Sequence, residues 1–185
     1  MSRYTPLLLL LAACCSSTAV VAQDAPLSTV QVAEMRRLAE RGIAGAQFYL
    51  GYMYAKGEGV AKSAVEAVKW FRLAADQGVD DAQYYLGLMY ANGDGVAEND
   101  AEAVKWYQLA ADQRNARAQT LLGVMYAKGE GVPESKIDAY FWFNLGAAQG
   151  DELARFHKGE IEKQMTREQI AEAQRRSAAW KPKNE

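Results

Sequence analysis

Apolar residues recur every three to four positions along most of this chain, and short polar, glycine-rich stretches interrupt them at even intervals. Ala46, Leu50, Met53 and Tyr54 fall on one helical face, which predicts a first helix over about residues 46–56. Gly57-Glu58-Gly59-Val60 follows it. A glycine just past a helix takes the left-handed cap conformation that other residues resist, and a valine shortly after can contact the last turn. Ser63 then opens a second helix as its N-cap, with Glu66 three residues on, the arrangement of a capping box worth ~1 kcal/mol. Trp70, Leu73 and Ala75 are its expected apolar face, and Gly78 its end.

The whole pattern returns with a period of 36 residues, in copies at 46–81, 82–117 and 118–152. The first two copies are identical at 22 of 36 positions. Gly93, Gly95 and Val96, then Gly129, Gly131 and Val132, repeat the loop. Asn99 with Glu102 and Ser135 with Asp138 repeat the cap. Trp106 and Trp142, Leu109 and Leu145, and Ala111 and Ala147 repeat the second-helix face. Gly150 ends the third copy, whereas the second carries Arg114 there and is expected to end without a glycine.

Helices this short are marginal in water by themselves, and one pair cannot cover its own apolar face. Stacking on the next repeat supplies the cover, so the pattern predicts an all-α solenoid of antiparallel helix pairs with distinct ends. At the front, residues 23–45 hold a capping helix at about 28–41, in the register of a second helix. At the back, residues 153–185 cap the array. There, 153–164 takes the place of a fourth first helix, with a pattern that Gly159, Lys158, Glu160 and Glu162 are expected to break. Thr166 to Gln169 reads as a capping box opening a last helix to about Trp180.

The leading residues alter the picture by giving an address. Arg3, an apolar run at 7–13, and Val20 and Ala22 ahead of Gln23 have the anatomy of an export signal over 1–22. A competing reading takes Leu11-Ala12-Ala13-Cys14 as a lipobox, with a lipoprotein signal at 1–13 and a lipid on Cys14. Either way the chain is expected to be exported, periplasmic or secreted, or anchored at Cys14. Both cysteines, Cys14 and Cys15, lie in this segment, so cleavage after Ala22 leaves none for disulfides. The apolar run is too short to span a bilayer, and no later run is longer. A net charge of −2 with both signs interspersed is no footprint for nucleic acid or an anionic membrane.

The chain lacks the short sequence signatures of hydrolases, zincins, P-loops and dinucleotide binders. With His157 its single histidine, no His-based metal site or catalytic triad can be assembled, and His157 is expected at the surface of the cap. Asn92, Asp94, Glu98, Asn99 and Asp100 offer oxygen ligands without EF-hand order. The sequence therefore predicts no enzyme, no cofactor and no metal.

The string Ala-x-x-x-Leu-Gly-x-Met-Tyr-x-x-Gly-x-Gly-Val followed by Ala-x-x-Trp-[Phe/Tyr]-x-x-Ala-Ala stands at 46–60 with 67–75 and at 82–96 with 103–111. A third copy, at 118–132 with 139–147, departs only at Gly146. It resembles the Sel-one-like repeat family, relatives of the tetratricopeptide repeats. The resemblance implies a right-handed superhelix and a protein or peptide partner held in a concave groove by an adaptor or scaffold. In register, that groove would present Phe48, Tyr52, Ala55, Lys56, Tyr84, Leu88, Ala91, Asn92, Thr120, Val124, Ala127 and Lys128. For Phe48, packing against the N-terminal helix is the competing expectation. A cysteine-rich branch of the family holds penicillin-binding, cell-wall-related members, an alternative that the missing cysteines weigh against. A structural envelope component acting by self-association is a further alternative. The adaptor reading expects a monomer.

Overall fold

The computed structural model describes residues 28–183; the export signal, the lipobox and Cys14 lie outside them. Helix α1 is Thr29–Glu40 and α2 is Ala44–Lys56. The following pairs are α3 (Ala64–Asp76) with α4 (Asp80–Asn92), and α5 (Asp100–Asp112) with α6 (Ala116–Lys128). Then come α7 (Lys136–Ala148), α8 (Glu152–Glu162) and α9 (Arg167–Ala179). No strand occurs among the described residues. The fold is an all-α solenoid in which each helix from α1 to α8 packs on its chain neighbours, and α9 folds back onto α7. First helices begin two residues earlier than expected, at Ala44, Asp80 and Ala116.

The caps form largely as the sequence predicts. Gly57, Gly93 and Gly129 take φ of 80°, 70° and 73° after the first helices. Ser63, Asn99 and Ser135 accept from the backbone N–H of Glu66, Glu102 and Asp138. The reciprocal half of a capping box is found instead at Ser28 with Gln31 and at Thr166 with Gln169. Arg114 ends the second copy without a glycine, as expected. It takes φ of 70°, the same left-handed turn as Gly42, Gly78 and Gly150, so α5 ends as its counterparts do despite the side chain.

Three aromatic residues that the apolar-face reading missed, Phe71, Tyr107 and Phe143, organise the core. Each ring lies over the glycine of its own first helix, and a Cβ on Gly51, Gly87 or Gly123 would sit 2.7, 2.6 or 2.6 Å from it. The missing side chain is what lets the paired helices approach. Leu73 and Leu109, expected on the apolar face, are 41% and 37% exposed. Trp70, Phe71 and Ala74 are buried in α3, and Leu73 lies at the margin of that face, partly outside.

Buried glutamines tie each first helix to the preceding second helix. Gln47, Gln83 and Gln119 each donate from Nε2 to the carbonyls of Ala39, Ala75 and Ala111 at 3.1 Å. Their Oε1 atoms accept from Gln77, Gln113 and Gln149 at 2.6, 2.8 and 2.7 Å. The amide thus adds a second donor to helix-end carbonyls that already accept from the backbone N–H of Gly42, Gly78 and Arg114. The second loop glycines also join neighbours: a Cβ on Gly95 or Gly131 would lie 2.3 or 2.5 Å from the backbone of Ala64 or Asp100.

At the back of the array, α9 packs on α7. Ser177 accepts from Asn144 at 2.8 Å, and Arg176 pairs with Asp138 at 2.6 Å. Beyond it Trp180 meets Trp142 edge-on at 6.4 Å, and the Lys183 N–H donates to the Asp112 carbonyl at 3.0 Å. The Lys183 ammonium also pairs with the Asp112 carboxylate. Leu145, the third leucine of the series, is half-buried and lines a cavity together with Ser177 and Trp180.

Candidate functional site

First helices are flanked on both sides, by their own second helix and by the one before, so only a narrow strip of each stays accessible. In α2 the strip holds Tyr49, Tyr52, Ala55 and Lys56; in α4 it holds Tyr84, Tyr85, Leu88, Ala91 and Asn92. In α6 it holds Leu121, Val124, Ala127 and Lys128. Of the expected groove residues, Tyr52, Tyr84, Leu88 and Val124 are half-buried, and Lys56, Asn92 and Lys128 are exposed.

Phe48 and Thr120 are corrections. Phe48 is only 7% exposed, wedged between Phe71 of its own repeat and Tyr85 of the next, each 5.9 Å away. It shares no core cluster with α1, so the competing expectation for it is corrected as well. Thr120 is 2% exposed, and its hydroxyl donates to the Ala116 carbonyl at 2.9 Å. Phe48 and Thr120 lie in the seam between repeats, while the neighbouring Tyr49, Tyr85 and Leu121 are half-buried, Tyr85 at the edge of that seam against Phe48 and Phe71.

The tyrosines of α2 and α4 form one connected surface. Tyr52 meets Tyr85 edge-on at 5.9 Å, and Tyr85 meets Tyr84 at 5.2 Å. Tyr85 stacks on the buried Phe71 ring at 5.2 Å and 11°, which fixes its plane. Tyr84 leans on Tyr107 at 6.4 Å. Aromatic pairs at such distances hold each other in defined orientations. Charged groups rim the patch: Lys56 lies 5.7 Å from the centre of the Tyr52 ring, while Asp81 and Arg117 act on Tyr84 and Tyr85. Asn115 steadies the acidic side by donating to Asp80 at 3.2 Å and Asp81 at 3.1 Å. Burial holds the phenols of Tyr84 and Tyr85 above the usual tyrosine range, with Arg117 opposing it at both. They are neutral donors and acceptors on an apolar platform, suited to peptide groups and side chains.

No cluster of metal-ligating side chains occurs among the described residues. His157 is not a surface residue of the kind expected: it is half-buried and stacked on Phe143 at 5.3 Å and 22°.

A family model for the Sel1 repeat matches residues 44–79, 80–115 and 116–151. The chain belongs to the Sel1 repeat family. Proteins of this family are generally non-catalytic, protein–protein interaction scaffolds. Among solved structures, a Sel1 repeat protein from Oxalobacter formigenes is similar at 36% identity and a TM-score of 0.64, over 70% of this chain and 97% of that one. The protein c5321, a protective antigen of uropathogenic Escherichia coli strains with an SLR fold, is 27% identical with a TM-score of 0.61. That match covers 85% of this chain and 41% of the antigen. Helicobacter pylori cysteine rich protein B shares the fold, at 16% identity and a TM-score of 0.57, over 69% of this chain and 95% of that one. A comparison with curated proteins gives no match. Among the described residues, no helix is long and apolar enough to cross a membrane.

Proposed function

We propose that this chain is an exported, non-catalytic adaptor that binds a protein or peptide segment on the accessible strip of its first helices. The observation that carries the reading is the connected surface of Tyr52, Tyr84 and Tyr85 with Leu88 beside it. Large amphipathic rings held rigidly at the middle of a repeat surface are the composition of binding hot spots. Rim charges at Lys56, Asp81 and Arg117 add orientation more than affinity. The export signal at 1–22 supports an envelope or secreted setting, with a lipid on Cys14 as the anchored form.

The test is capture of envelope proteins by the immobilised chain and by its Tyr84→Ala/Leu88→Ala form. The variant should retain helicity and lose the proteins held by the parent. Equal capture by both would remove the assignment. Palmitate labelling, with Cys14→Ala as the control, decides between the two forms of the leader.

A further inference from the structure

Among the described residues, the array opens on a helix in the place of a second helix, and its last first helix, α8, is followed by a helix that packs on α7 instead of on it. Helix α1 has the position of a second helix: the Ala39 carbonyl accepts from Gln47 as those of Ala75 and Ala111 accept from Gln83 and Gln119. Its Met35 stands 36 residues before Phe71. Met35 is half-buried, whereas Phe71 is fully enclosed by its own first helix.

Helix α8 is the reverse case. Ala154 is fully buried like Ala46, Ala82 and Ala118, and His157 stacks on Phe143 as Tyr85 stacks on Phe71. So α8 docks on α7 as α4 docks on α3. Its other flank is open, because α9 packs on α7. Phe156, at the position of Phe48, is 61% exposed. Gly159, read from the sequence as a break in the pattern, keeps it: Gly51, Gly87, Gly123 and Gly159 are each 36 residues apart. The first three lie under an aromatic ring, whereas a Cβ on Gly159 would meet nothing within 4 Å.

We propose that α1 of a second copy of this chain docks on α8 of the first, completing a fourth repeat and stacking the copies head to tail. Continuity with the seams inside the chain identifies this occupant. In repeat register, Met35 of the second copy comes over Gly159 as Phe71 lies over Gly51. Charge agrees with the register. Leu50 and Trp70 belong to one buried cluster, and their counterparts at the open ends are Lys158 and Glu34, of opposite sign. Both are half-buried in the single chain, Glu34 paired with Arg37 at 2.6 Å and Lys158 donating to Asn144 at 3.1 Å, so each exchanges an existing partner on docking. The contact is heterologous, with different surfaces on the two copies, so it can propagate. It stands in place of the monomer expected from the sequence, and does not depend on what the tyrosine surface binds.

The test uses the full chain carrying Cys14→Ser and Cys15→Ser. In sedimentation equilibrium its average mass should rise above the monomer with concentration. Gly159→Arg should weaken association at least ~10-fold with helicity kept, since open space receives the new side chain. Tyr84→Ala/Leu88→Ala should leave association unchanged, which separates this contact from the binding strip. Glu34→Cys and Lys158→Cys chains, mixed and treated with a short bismaleimide, should cross-link to each other and not to themselves. A monomer at every concentration, association indifferent to Gly159→Arg, or cross-links within one variant alone would each overturn the proposal.

Discussion

The Tyr107 ring lies over Gly87 so closely that a Cβ at that glycine would be 2.6 Å from Cδ1. This contact, repeated at Gly51 with Phe71 and Gly123 with Phe143, sets the spacing of every helix pair within the repeats. Gly87→Ala should therefore destabilise the chain by ~1–3 kcal/mol through overpacking, although alanine is the better helix former. Gly159→Ala, with open space above it, should instead stabilise by up to ~1 kcal/mol in dilute solution. Urea unfolding of the two variants checks the contrast.

Gln83 is a buried polar side chain with both ends of its amide satisfied, by the Ala75 carbonyl and by Gln113. Gln83→Leu keeps much of the volume and leaves those partners without it. The expected loss is ~1–3 kcal/mol, read as a lower urea midpoint with an unchanged slope.

Much of this was legible in the sequence, for identifiable reasons. Cap chemistry is local, so Gly57, Ser63 and Thr166 announce helix ends without knowledge of their neighbours. The 36-residue period carried the rest of the architecture. What the sequence obscured depends on how wide a helix face the neighbours cover. A helical wheel places Phe48 opposite Leu50, yet flanking helices on both sides enclose it and leave Tyr49 and Tyr85 half-buried beside it. Leu73 reads as core and is not, because Trp70 and Phe71 already fill the contact. Gly159 reads as a fault in a helix, whereas the rings over Gly51, Gly87 and Gly123 show what a glycine at that register position accommodates.

Arg114 occupies a left-handed turn that glycine fills at 42, 78 and 150. That conformation costs a residue with a Cβ ~1–2 kcal/mol. Arg114→Gly should raise the melting temperature, with the gain reduced by whatever the arginine side chain contributes beside the tail. Differential scanning calorimetry measures the balance.

Burial holds the Tyr107 phenol far above its ordinary value of 10.0, and raises Tyr84, Tyr85 and Tyr126 in the same direction. In the unfolded chain these groups lose their protons near pH 10, while the folded chain still holds them. Their contribution is thus fully present below about pH 10 and disappears as pH rises through the raised values. Thermal stability should fall steeply on the alkaline side. Tyr107→Phe should soften that fall, since Phe71 and Phe143 already occupy the equivalent positions.

The central claim is that partners are held on the first-helix strip. A photo-reactive phenylalanine analogue placed at Leu88 tests it within the envelope, with the same analogue at Lys69, on the exposed side of α3, as the reference. Irradiation should join a discrete partner to the chain from position 88 and nothing from position 69. Cross-links from position 69 with none from position 88 would contradict the account.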